Sequence, residues 1–161
     1  MTKKENHLPL YGIGPYLVFP ILITAIISLI LTTQNLIPIY KINSLNLLLT
    51  ILGIIIIIYG AVFLIGSFKS SIQDKIKTNT LQTKGIYAII RHPIYASYLY
   101  ISTGIILISN NIYLFILPVI YWIFLTVVLK NTEEKWLIEL YGDEYIEYSK
   151  KVNRFLPRLI K

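Results

Sequence analysis

The sequence predicts an all-α integral membrane protein of about four transmembrane helices. A helical C-terminal segment and both termini lie on the cytoplasmic side. Three observations carry this prediction. Of 161 residues, 55% are hydrophobic and only 14% are charged, against roughly 25% charged in a soluble domain. Three long stretches, Leu8–Tyr40, Ile42–Phe68 and His92–Leu129, contain no Asp, Glu, Lys or Arg. Finally, 14 of the 15 Lys and Arg residues fall on one side of the resulting topology, and only Lys41 falls on the other. The positive-inside rule makes the crowded side cytoplasmic.

Each span follows from its stretch, because a crossing helix needs about 20 apolar residues. The first stretch holds one span near Tyr16–Thr33 and the second holds one near Leu45–Phe68. The third is too long for one helix and is split by Ser109-Asn110-Asn111, residues that favour a turn. That leaves a span over Ile94–Ile108, short for a full crossing, and one over Ile112–Leu129. Met1–His7 is polar and no small-residue cleavage site follows, so no signal peptide is expected. The whole chain reads as one membrane domain, with two spans and a loop in residues 1–82 and a motif-bearing region in 83–161. After the fourth span, Gly142 closes one helix and Asp143 caps the next. Pro157 stops the last helix and folds the tail back.

Composition also narrows the chemistry. The chain excludes a soluble globular enzyme and a disordered chain. There is no Cys, which excludes disulfides, thiolate metal sites and Cys nucleophiles. Two His, His7 and His92, argue against a multi-His metal site. The net charge of +7 fits basic cytoplasmic loops rather than nucleic-acid binding.

Polar residues gather at the cytoplasmic end. Arg91-His92-Pro93 opens the third span, with Pro93 suited to the first helical position and His92 to the cap. The free N–H groups there, with the Arg91 fork, can hold a carboxylate or phosphate. The same residues also read as a plain positive-inside boundary. Glu133-Glu134 follow the fourth span closely. They read either as a site, since carboxylates near hydrocarbon are costly, or as a solvated face with Glu134 paired to Lys130. Tyr87, Tyr95, Tyr98, Trp136, Tyr145 and Tyr148 form either an interfacial belt or an aromatic wall for a ligand. Lys150, Lys151, Arg154 and Arg158 form a basic patch suited to anionic lipid.

Taken in order, Gly85-x-Tyr87, Arg91-His92-Pro93-x-Tyr95, two spans, Glu133-Glu134, Tyr141-Gly142-x-x-Tyr145-x-x-Tyr148 and Val152-x-Arg154-Phe155-x-Pro157 resemble the isoprenylcysteine carboxyl methyltransferase family. The wider phospholipid methyltransferases are its relatives. The resemblance covers Thr83–Pro157. It implies an integral membrane enzyme that uses S-adenosylmethionine, yields S-adenosylhomocysteine and builds its cofactor pocket at the cytoplasmic face. It places Gly85, Tyr87, His92, Pro93, Tyr95, Glu134, Tyr145 and Arg154 around the cofactor and gives Arg91 and Glu133 catalytic roles. The acceptor it implies is a lipophilic small molecule or lipid, arriving from the bilayer between spans three and four. Tyr98 and Ser102, one turn apart, line that path or simply pack. Unlike the eukaryotic prenylcysteine branch, the region from His92 to Leu129 has no acidic residue. A phospholipid amine methyltransferase, a small transporter and a scaffold are the alternatives. No mid-membrane charge supports a transporter. A scaffold needs neither Arg91-His92-Pro93 nor Glu133-Glu134.

Overall fold

The computed structural model describes residues 13–70 and 80–158. Met1–His7 and the loop lysines Lys75 and Lys77 lie outside the described residues. Among the described residues every regular element is helical. Helix α1 spans Gly14–Thr33 and α2 spans Asn46–Lys69, entered through a 3-10 turn at Asn43–Leu45. A second 3-10 turn, Gly85–Ala88, precedes α3, Pro93–Ser109. A third, Ile112–Phe115, leads into α4, Ile116–Asn131. Two short helices follow, α5 over Glu133–Tyr141 and α6 over Asp143–Lys151. Helices occupy all four of the expected stretches within a few residues of their predicted ends.

Helices α1 and α2, and the helical stretch Ile112–Tyr141 that contains α4, are long and apolar enough to cross a membrane. Helix α3, at 17 residues, is about 25 Å long against a hydrocarbon core of about 30 Å. The large apolar side chains left exposed, such as Ile54, Ile58 and Ile65 on α2 and Ile116, Ile120 and Ile123 on α4, form the lipid-facing surface. In water they would make an untenable patch.

Helix α3 is the hub. It runs antiparallel to α2, with Gly53 against Gly104 and Gly60 against Ser97. It runs parallel to α1, with Gly14 beside Tyr95 and Phe19 edge-on to Tyr98. A Cβ on Gly104 would stand 2.5 Å from the Gly53 carbonyl oxygen, so only glycine lets these backbones meet. This is the small-residue packing that lipid demands, since apolar burial does not drive helices together there. Helix α4 joins through Tyr121, whose hydroxyl shares a 2.9 Å hydrogen bond with Thr24 of α1. Leu99, Leu125 and Leu129 are buried between these helices.

At the end opposite the charged residues, the Asn110-Asn111 turn does more than reverse the chain. Both side chains are buried. Asn111 accepts from the Tyr40 amide at 3.3 Å and donates to the Pro38 carbonyl at 3.0 Å, while Asn110 donates to Ile42 and Asn46. The two amides supply partners for a loop backbone that has neither helix nor strand.

Three local expectations change. Gly142, at φ 55° and ψ −130°, both closes α5 and caps α6. Asp143 therefore falls inside the first turn of α6 and makes no side-chain capping bond, although its charge still suits the helix N-terminus. The last helix ends at Lys151, well before Pro157, where Val152 turns extended at φ −119° and ψ 128°. Thr132, at φ −124° and ψ −88°, breaks the helix between α4 and α5, so Lys130 and Glu134 do not share a continuous helical face.

Candidate functional site

The site lies where four segments meet: the residues before α3, the first turn of α5, the inner face of α6 and the tail 152–158. Pro93 occupies the first turn of α3 and His92 its cap position, as the Arg-His-Pro order predicts. The tail folds back and pairs with this corner as a short extended strap. The Arg91 amide donates to the Asn153 carbonyl at 2.8 Å and the His92 amide to the Arg154 carbonyl at 3.2 Å. Two backbone donors that precede a helix are thereby satisfied.

Glu134 is the centre of a buried charged knot. It is only 7% exposed. Arg154 grips it with two hydrogen bonds, Nε to Oε1 at 2.8 Å and Nη2 to Oε2 at 2.7 Å. Arg91 Nη2 stands 3.3 Å from Oε1, and His92 Nε2 stands 3.2 Å from the same oxygen. The paired-fork geometry is the strong form of an Arg–carboxylate contact. Burial alone would raise the Glu134 carboxyl. Hydrogen bonds from His92 and Arg154 and the positive charges of His92 and Arg91 outweigh it and hold the group well below the usual carboxylate range.

His92 bridges the acidic pair, with Nδ1 3.5 Å from Glu133 Oε2 on its other side. Burial lowers its affinity for a proton, but hydrogen bonds and charge from both glutamates prevail, so its value is raised. Glu133 is more open, with 20% of its side chain exposed, and accepts a 2.5 Å hydrogen bond from the Tyr95 hydroxyl. Arg91 also donates to the Tyr145 hydroxyl at 3.3 Å and lies 5.8 Å from the centroid of that ring. Its Nε is buried and has no hydrogen-bond partner among the described residues. Tyr148 donates to the Tyr87 carbonyl at 2.5 Å, tying α6 to the turn that Gly85 begins at φ +63°. Burial pushes the Tyr87, Tyr145 and Tyr148 hydroxyls up, so all three remain neutral.

The structure thus brings Arg91, His92, Tyr95, Glu133, Glu134, Tyr145 and Arg154 into one cluster, with Tyr87 and Pro93 at its edge. Tyr87, Tyr95, Tyr145 and Tyr148 are buried and so are not part of an interfacial belt. Tyr98 and Ser102 stand apart. Tyr98 packs edge-on to Phe19 at 6.1 Å, towards α1 rather than α4, and Ser102 is fully buried, its hydroxyl without a partner among the described residues. Two residues given no site role from the sequence, Phe155 and Tyr100, also belong to the cluster's frame. Phe155 is 2% exposed within the apolar core, and its carbonyl accepts a hydrogen bond from Tyr100. An aromatic following Arg154 in a polar tail was the available signal.

Residues 43–144 match the family described as phospholipid methyltransferase. The human protein-S-isoprenylcysteine O-methyltransferase is 35% identical over 120 residues, covering 68% of this chain and 41% of the human protein. The protein of the same name from Saccharomyces cerevisiae is 34% identical over 139 residues, covering 79% of this chain and 58% of its own length. The Xenopus laevis relative of that name is 34% identical over 118 residues, covering 68% of this chain and 41% of that protein. The chain therefore spans about two fifths of the vertebrate relatives it matches. The family match runs from the start of α2 to the start of α6 and takes in the charged knot apart from the strap. The chain is an integral membrane protein belonging to the phospholipid methyltransferase family, and it is similar to the protein-S-isoprenylcysteine O-methyltransferases.

Proposed function

We propose that this chain is an S-adenosylmethionine-dependent membrane methyltransferase whose acceptor is a lipophilic molecule carrying a carboxylate, of the prenylcysteine type. The observation that carries this reading is the buried knot at the head of α3. Arg91, His92 and Arg154 converge there on Glu134, while Glu133 stays partly open beside them. The named relatives are O-methyltransferases of isoprenylcysteine, and an acid on a lipid tail suits a chain that lives in the bilayer. The basic side of the topology favours a site on the cytoplasmic face of the cell membrane, within reach of a soluble cofactor.

The residues present fit that cofactor. It carries a carboxylate, an ammonium and a sulfonium. Arg91 keeps one buried donor, Nε, without a partner among the described residues, and a carboxylate can accept from it. Glu133 retains accessible carboxylate surface and can receive an ammonium. The faces of Tyr87 and Tyr145 suit an aromatic base or a cation. When bound, the cofactor supplies an electrophilic methyl group, and S-adenosylhomocysteine is the product. Glu134 binds no ligand in this reading. It holds Arg91 and Arg154 at fixed positions, and Tyr95 and His92 aim Glu133 from two sides. A carboxylate acceptor is ionised at neutral pH and needs no general base, so positioning and exclusion of water are the protein's main contributions. Tyr98 leans on Phe19 of α1 and Ser102 is buried, so neither supports an entry path between spans three and four.

Calorimetry with S-adenosylhomocysteine on the detergent-purified chain tests the cofactor. Binding in the wild type that is lost in Glu133→Gln and Arg91→Ala supports the site, and no binding to folded protein overturns it. Transfer of a radiolabelled methyl group into a lipid extract tests the acceptor. Label released by mild base is a methyl ester, whereas base-stable label moves the acceptor to an amine head group.

A further inference from the structure

The strap that carries Arg154 is fastened at one end by its pairing with residues 91–92. Its other fastening is inside the helix bundle. Phe155 is buried with Phe63, Ile90 and Leu99, and the Phe155 carbonyl is held by the Tyr100 hydroxyl. Tyr100 lies seven residues into α3, about 10 Å along its axis from Pro93. Helical side chains lean towards the helix N-terminus, so the ring rises from within the span to meet the strap. It is fixed laterally by Tyr59, at 5.2 Å between centroids, and Phe63, at 6.0 Å, which also pack on each other at 4.7 Å. Phe155 is buried, and leaving its carbonyl unpaired there is costly.

We propose that Tyr100 is a positioning residue: its hydroxyl latches the strap through the Phe155 carbonyl and thereby sets the neighbouring Arg154 against Glu134. The inference rests on the function proposed above and extends it to a residue that touches neither cofactor nor acceptor. It also joins the two halves of the site, because the aromatic group of Tyr59, Phe63 and Tyr100 belongs to the membrane-spanning helices and the strap closes the charged knot. A side chain within the span therefore governs the geometry of a site at its mouth.

The test uses Tyr100→Phe, which keeps the ring and deletes only the hydroxyl, with Tyr59→Phe as the control on the same aromatic group. Three quantities are read on the full chain in detergent: S-adenosylhomocysteine affinity, amide hydrogen exchange of residues 152–158 against the bundle helices, and thermal midpoint. Tyr100→Phe is expected to weaken binding roughly three- to tenfold, the worth of one hydrogen bond. Exchange should rise in the strap alone, and Tyr59→Phe should do neither. In an Arg154→Lys background, which keeps the charge but loses the two-bond grip, the effect of Tyr100→Phe on affinity should largely disappear, since both changes act on one contact. Wild-type affinity in Tyr100→Phe, a loss fully additive with Arg154→Lys, or a rise in exchange across the whole bundle overturns the latch. If the wild type itself binds no S-adenosylhomocysteine, the proposed function fails. The latch then stands or falls on strap exchange in the unliganded protein.

Discussion

Two adjacent glutamates with the same chemistry have different work because one faces inward. Glu134 has three cationic partners and little exposure, while Glu133 has a tyrosine, one face of His92 and an open edge. Removing Glu134 leaves the largely enclosed Arg91 and the half-buried Arg154 without the carboxylate they share, so Glu134→Ala should cost about 3 kcal/mol of stability, read as a lowered midpoint in detergent melts. Glu133→Gln should melt near wild type and lose cofactor affinity instead. If both variants behave alike, this division of roles is wrong. The pH dependence follows from the same contacts. The His92 value is raised above 6.5, so its contribution is complete below pH 6.5 and is lost as pH rises through the folded value. The Glu134 value is depressed below 4.5, so its contribution is complete above pH 4.5 and is lost as pH falls through the folded value. Stability should therefore be greatest between these limits. His92→Gln should flatten the alkaline limb of a melting-temperature profile and weaken the acid limb without removing it, because Arg154 and Arg91 still hold Glu134 low.

At the scale of elements, the α2–α3 pair depends on backbone contact. Gly104→Ala places a methyl group 2.5 Å from the Gly53 carbonyl oxygen and should cost about 1–3 kcal/mol through forced separation of the helices. Gly66→Ala, facing Ile86 at an ordinary 3.4 Å, should cost much less. Equal losses in melting experiments would show that the close approach does not matter. The opposite end depends on amides. Asn111→Ala strands the Tyr40 amide and the Pro38 carbonyl and should cost about 1–3 kcal/mol, with hydrogen exchange rising in residues 36–45 before the helices loosen. The Ser109-Asn110-Asn111 turn was legible because Asn tolerates the left-handed conformation, and Asn110 takes it at φ 46°. The clamp was not legible, because nothing in residues 109–111 indicates that a loop seventy positions earlier lies within reach.

For the whole molecule, the positive-inside reading places Lys41 on one face of the membrane and Lys151 on the other. In cells, a cysteine at Lys41 should react with a membrane-impermeant maleimide from outside, and one at Lys151 should react only after permeabilisation. The chain has no native Cys to confuse the readout. Reversed labelling would invert the topology and put the charged knot on the wrong side for a cytoplasmic cofactor. The short α3 is tied on two sides, by α2 through glycines and by α1 through Tyr95 and Tyr98. Its length is therefore met by the neighbouring helices as well as by the bilayer.

The sequence by itself determined the solvent and the element list. Long uncharged runs cannot be stable in water and can satisfy their backbone in lipid only as helices, and the ordered motifs on either side of α3 and α4 pointed to the family. Both are one-dimensional signals, carried by composition and spacing. Only the tertiary structure decided which residues meet. The tail could have lain on the membrane surface as a basic patch. Instead it returns to the head of α3, because Arg154 finds Glu134, Phe155 finds an apolar pocket and Tyr100 meets the carbonyl between them. Those partners lie 20 to 92 positions away along the chain, and no local propensity encodes contacts at that range. The separation of Glu133 from Glu134 has the same origin. Successive residues on a helix point about 100° apart, and the positions of α3 and the strap decide which of the two faces inward.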